Sequence, residues 1–285
     1  MVLRTALEHY AQQQKIARWA LLNARRRRFG AVNDLVTLVA LAQTQAARDG
    51  AAAVGRMLSE QNIDADPEGT VRPAALARTA SDGRDLAGLL SYAQNRTLVT
   101  PAQFDRIVLT QVRDAGRGGA SVGIASRPQV TGYVRMIQGA TCDRCAILAG
   151  SFYRYNTGFA RHPFCDCIHV PANRGTAGDL RTDPHAYFDS LTTAEQDKAF
   201  TKSGAQAIRD GADMSQVVNA RRGTQTAQVY GRDLKITTEG MTKRGLARSR
   251  MSGRQRVRLM PESIYKIAEN RADAIRLLKL YGFLI

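Results

Sequence analysis

The residues with the most chemistry to offer are the four cysteines, Cys142, Cys145, Cys165 and Cys167. All lie within residues 132–171, GYVRMIQGATCDRCAILAGSFYRYNTGFARHPFCDCIHVP, and His162 stands three residues ahead of the second pair. Two thiols separated by two residues converge on one ion when the backbone between them turns, and a second ligand pair completes a tetrahedron. Here the second pair must come from His162, Cys165 and Cys167, so five candidate ligands compete for four places. In extended backbone Cys165 and Cys167 share a face but stand too far apart to hold one ion without a bend. One cysteine outside the coordination sphere resolves this, and spacing leaves open which. Structural Zn2+ is the cofactor that such a donor set favours. The alternatives are buried free thiols or a redox pair, since CxxC also fits a thioredoxin-like site; disulfides are disfavoured in reducing cytosol. His169 is a further candidate ligand, although a solvent-facing strand histidine is the plainer reading.

The elements that would position these residues are short. Residues 129–137, QVTGYVRMI, alternate like a strand, and SFYRYN at 151–156 is short and aromatic enough for another. Between them CDRCAILAG reads as one or two helical turns closed by Gly150. With HPFCDCIHV returning alongside, both cysteine pairs would reach one end of a small sheet.

Helices are expected on either side. Apolar residues recur at helical spacing from Leu3 to Leu21 and again from Val32 to about Leu58. Residues 62–73 read as loop; Pro73 starts a further helix through Leu90, and Thr100-Pro101 starts the next. The glycine-rich run GRGGASVG, residues 116–123, reads as a linker; it lacks the ending of a phosphate loop. Downstream, Thr193 with Gln196 reads as a capping box, and a final amphipathic helix begins near Pro261. The fold class is therefore mainly α with a small α+β cysteine-rich, zinc-binding module. The expected division is a helical N-terminal domain at 1–115, a linker at 116–128 and the Cys/His module at 129–172. A helical region at 173–223, a basic segment at 224–260 and a C-terminal helix at 261–285 follow.

The formal charge is +16 and the isoelectric point about 10.3. Residues 221–258 carry eleven Lys or Arg against Asp233 and Glu239, and residues 1–28 carry seven against Glu8. Such concentrated charge favours contact with nucleic acid through phosphates, without readout of sequence; a solvated face is the bland alternative. The candidate phosphate ligands are Arg25, Arg26, Arg27 and Arg28 at the end of the first helix, and Arg244, Arg248, Arg250, Arg254, Arg256 and Arg258. No apolar run is long enough to span a bilayer, and no signal-peptide core opens the chain, so synthesis and retention in cytoplasm are expected. Neither GxSxG nor HExxH occurs, and there are four histidines, His9, His162, His169 and His185. No catalytic residue is assigned; Asp143 and Asp166, beside the cysteines, are the carboxylates to test for metal-dependent hydrolysis.

CDRCAILAG at 142–150 followed by RHPFCDCIHVP at 161–171 resembles the phage Mu F-like minor head, or head morphogenesis, proteins of tailed bacteriophages. Residues 183–223 and the ending RLMPESIYKIAENRADAIRLLKLYGFL resemble the versions carried by actinobacterial phages. The resemblance covers roughly the last 155 residues. It implies a low-copy minor capsid protein placed with the portal protein and other head proteins inside the virion head, made in the host cytoplasm and touching double-stranded DNA. A capsid maturation protease or a metal-dependent nuclease is the alternative.

Overall fold

The computed structural model describes residues 2–138, 141–157, 165, 167–180, 183–229, 231–242, 245–251 and 257–284, without the side chains at 179, 246 and 250. It is mainly helical with two small antiparallel sheets. The chain forms two units, Met1–Gly139 with Ala149–Thr182, and Ala140–Leu148 with Asp183–Ile285. The second therefore takes Cys142 and Cys145 from the middle of the cysteine-rich segment, and the first keeps Cys165 and Cys167.

In the first unit, α1 (Arg4–Arg27), α2 (Val32–Glu60) and α4 (Pro101–Ala125) pack around a core rich in alanine. Leu3 supplies no side-chain cap to α1. Glu60 at the far end of α2 does so instead, accepting hydrogen bonds from the backbone N–H groups of Arg4 and Thr5, each at 2.8 Å. A carboxylate at a helix N-terminus satisfies orphan donors and opposes the positive end of the helix dipole. Thr100 caps α4 with Gln103 in a reciprocal box, as the Thr-Pro start signal predicts. The helix expected from Pro73 is instead a 3-10 turn at Pro73–Leu76 and a separate α3 at Leu86–Ala93 capped by Asp85.

The glycine-rich run is a correction: residues 116–123 are no linker but the last turns of α4. Its small residues let backbones touch. A Cβ placed on Gly119 would lie 2.0 Å from Ala47 O, and one on Gly50 of α2 would lie 2.1 Å from Gly116 O. Glycine lowers helix propensity by only about 1 kcal/mol, which close helix packing readily outweighs.

After α4 the chain enters a three-stranded sheet in which β1 (Gly132–Met136) lies between β2 (Phe152–Arg154) and β3 (Ile168–Ala172). Both β1 and β3 are buried along their whole length. Val134, Met136, Ile168 and Val170 pack with Leu3, Ala53 and Met57, while Tyr133 packs with Val54, Leu58 and Ile124. The expected strands are thus present, and Gly150 closes the intervening turn at φ 71°.

The second unit contains α5 (Asp143–Ile147), α6 (Pro184–Asp189), α7 (Thr193–Phe200), α8 (Lys202–Arg209) and α9 (Met214–Ala220). The box that starts α7 is Thr192 with Glu195, one residue earlier than expected. The segment 224–260, expected as a basic segment, contains a hairpin of β4 (Thr224–Val229) and β5 (Arg232–Thr237), with Gly231 in its turn at φ 69°. It continues through α10 (Leu246–Arg250) to β6 (Arg258–Leu259), which pairs with β5. The single C-terminal helix resolves into α11 (Pro261–Ile267) and α12 (Arg271–Leu280), the latter capped by Asn270. Phe188, Phe200, Met214, Leu259, Met260, Leu278 and Phe283 fill the core.

Candidate functional site

Cys142 and Cys145 belong to the start of α5. Cys142 is its N-cap, and the Cys145 backbone N–H donates to Cys142 Sγ at 3.4 Å. That is the turn CxxC needs to bring two sulfurs to one side. Asp143, next to it, is ion-paired with Arg221 of the same unit. The exposed His185 sits in the first turn of α6, where its backbone N–H donates to Asp183. His162 and Asp166 lie outside the described residues.

Cys165 and Cys167 lead into β3 of the first unit, and both are buried. Their sulfurs are 3.0 Å apart, whereas alternate residues of an extended strand stand roughly 7 Å apart. Arg117 of α4 contacts the backbone of both residues. Its Nη1 donates to Cys165 O at 2.7 Å and to Cys167 O at 3.2 Å. Arg117 is itself ion-paired with Asp114. A second guanidinium, Arg135 of β1, donates to Cys165 Sγ at 3.3 Å. The hydrogen bond with Cys165 and burial push the Cys167 thiol well above its usual range, while Arg117 and Arg135 pull the other way. A neutral thiol is a weak nucleophile. Among the described residues no group of three or more His, Cys, Asp or Glu side chains is arranged to hold a metal.

His169 corrects the expectation of a solvent-facing histidine. It is buried, its ring stacks on Tyr133 with centroids 4.2 Å apart, and Nδ1 lies 3.2 Å from Ser121 Oγ. Complete burial of β3 leaves neither of its faces to solvent.

The arginines divide into two kinds. Arg26 and Arg27 are exposed at the end of α1, and Arg25 is exposed but ion-paired with Asp105. Arg28 is a correction. It is buried, donates to Val99 O at 2.6 Å and lies 4.9 Å from the centre of the Phe104 ring, so it cannot face a phosphate. Arg258 is another. Only 1% exposed, it donates to Tyr281 O, Gly282 O, Glu239 O and Gln216 Oε1 and stacks over Phe283. Burial lowers its pKa to about 10, with Glu239 acting in the opposite direction. It remains charged at neutral pH, but its charge is spent on carbonyls. Arg248 is half-buried on α10; Arg244, Arg254, Arg256 and the side chain of Arg250 lie outside the described residues.

Two features went unread in the sequence. Lys15 and Arg18 are exposed and fall three to four residues apart on the ridge of α1 that continues through Leu22 to Arg26, which makes one basic stripe. Helical periodicity places them there; attention to the four-arginine run alone hides them. The other is His9, buried on α1, whose Nδ1 lies 2.6 Å from Asp49 Oδ2 of α2. Asp49 also accepts from Gln13 Nε2 at 2.9 Å. Burial raises the Asp49 pKa, but the His9 and Gln13 hydrogen bonds and the nearby His9 and Arg56 charges outweigh it and hold the carboxyl below its usual range. Forty residues separate the pair, too far for any local pattern to reveal it.

Fold and site together define a basic, mainly helical protein in two units, with a cysteine-bearing segment that contributes to both. The chain belongs to the VG15 protein family, a bacteriophage family, which it matches over residues 2–194. That span includes all four cysteines and the basic stripe of α1, and ends before the second basic stretch. No curated protein and no solved structure matches it.

Proposed function

We propose that this chain is a minor capsid protein of a tailed phage, of the Mu F-like head morphogenesis type, held at the portal on the inside of the head. The match to a phage family over residues 2–194 carries the reading, and the CxxC and HPxCxC pattern gives it its particular form. In this reading the exposed stripe of Lys15, Arg18, Arg26 and Arg27 touches packaged double-stranded DNA without regard to sequence. Arg244, Arg248, Arg250, Arg254 and Arg256 add to that contact. Thiolate ligands from the cysteines, with His162, hold a structural zinc; the donor types favour that ion.

The protein acts by occupancy and not by turnover. One observation favours this over a protease or a nuclease: Asp143 is committed to Arg221. The test is a phage lacking this gene, complemented with variants. Loss of infectivity only when the protein is missing from the particle, with normal capsid-protein masses throughout, is the expected result. Capsid precursor accumulating with Asp143→Asn or His185→Ala in particles that still contain the protein would establish an enzyme instead. Zinc is read separately, by elemental analysis of the purified chain, with one equivalent expected.

A further inference from the structure

The sheet of the first unit has a groove at its β2 edge. It is 440 Å³ in volume and lined by Pro128, Val130, Thr131, Phe152, Arg154, Tyr155, Asn156 and Arg174. Pro128, Val130 and Phe152 make an apolar floor. Tyr155 is 52% exposed beside it, and the guanidinium groups of Arg154 and Arg174 stand exposed at the rim. Among the described residues, none that lines the groove is acidic. Among the described residues, neither arginine has an ion-pair partner.

Thr131 holds these groups in place. Its carbonyl accepts from the Tyr155 backbone N–H at 3.2 Å, and its hydroxyl accepts from the Arg174 backbone N–H at 3.2 Å. Its own N–H donates to Asn173 Oδ1 at 3.0 Å. The backbones of Tyr155 and Arg174 are therefore tied to one residue before any ligand arrives, which reduces the entropy lost on binding.

An exposed aromatic ring that shares a groove with two cations suits a ligand with a planar π-face and negative charges beside it. A nucleotide within a single strand has that pattern, and stacking of bases on aromatic side chains along a cationic track is how single strands are bound without sequence preference. A duplex keeps its bases stacked inside and offers this groove only phosphates. We infer that the groove formed by Arg154, Tyr155 and Arg174 binds single-stranded DNA, with a base stacked on Tyr155 and the flanking phosphates on the two arginines. This goes beyond the duplex contact proposed for α1, and either can fail without the other.

The experiment measures fluorescence anisotropy of a short labelled oligo-dT strand and of a labelled duplex, at several salt concentrations, with the full chain. The variants are Arg154→Gln with Arg174→Gln, and Tyr155→Ala. All three side chains are exposed, and thermal melts verify that each variant folds. The double arginine variant is expected to weaken single-strand binding at least about tenfold and to lower the salt slope by roughly 1.4, at about 0.7 per phosphate contact. Tyr155→Ala is expected to weaken it by about fivefold or more with the slope unchanged, since stacking releases no counterion. Duplex affinity should hold in both. Unchanged oligo-dT affinity in either variant overturns the inference. So does an equal loss of duplex affinity, which would make the groove a general cationic surface, or competition by poly-glutamate as effective as by unlabelled oligo-dT.

Discussion

The two units solve the problem of a packed interior differently. In the first, α2 and α4 approach until backbone meets backbone, and alanine and glycine occupy the contact. In the second, short helices and a hairpin leave a wider interior filled by Phe188, Phe200, Phe283 and three methionines, with Arg258 buried among them. The first interior has no room to gain an atom. The second relies on a polar group whose donors satisfy the carbonyls of three separate residues. The same total of buried surface can thus be vulnerable to addition in one place and to deletion in another.

Removing that group should give the largest effect. Arg258→Met preserves apolar bulk but leaves the carbonyls of Tyr281, Gly282 and Glu239 without their described donor. At roughly 1–3 kcal/mol per buried orphan, a loss of about 4 kcal/mol is expected in denaturant unfolding. A stable variant would mean that the second unit packs as the first does, by shape alone. Next comes Gly119→Ala. Helix propensity favours alanine by about 1 kcal/mol, yet its Cβ would meet Ala47 O at 2.0 Å, so a net loss of about 3 kcal/mol is expected, at the upper end of overpacking costs.

Acid should act on the first unit more gradually. Asp49 is held below the usual carboxylate range despite burial, by His9 and Gln13, and Glu60 is lowered first by the Thr5 hydroxyl and then by backbone N–H groups. A carboxyl with a depressed folded pKa contributes stability that is complete above its unfolded value, about 4, and is lost as pH falls through the folded one. Melting temperature measured from neutral pH downward should fall below about pH 4, and Asp49→Asn should flatten that fall. An unaltered slope would remove Asp49 from the account.

Gly55→Ala is the smallest change and has the opposite sign. Inside α2, its Cβ would meet only Arg127 Nη2, at 3.4 Å, an ordinary contact distance. A gain of up to about 1 kcal/mol is expected. The two Gly→Ala substitutions, one in each of two packed helices, therefore test whether proximity or propensity governs the first unit.

The strands around the cysteines could be read in the sequence because alternation, the CxxC turn and Gly150 are local signals. The Thr100 cap was legible for the same reason. The basic stretches were legible as charge, but charge does not say which guanidinium groups turn inward: Arg28 and Arg258 stand in basic runs and are buried. His169 departs from the expected exposure because alternation identifies the two faces of a strand without saying that both are covered.

The sequence by itself determined a helical, strongly basic chain with a cysteine-bearing pair of strands, since periodicity, caps and spacing act within a few residues. Only the tertiary structure decided that residues 116–123 are helix, that His9 meets Asp49, and that Arg117 meets the carbonyls of Cys165 and Cys167. Each of these depends on groups at least dozens of residues apart in the chain. Contact between such groups is set by how closely whole elements pack, a quantity that no local pattern encodes.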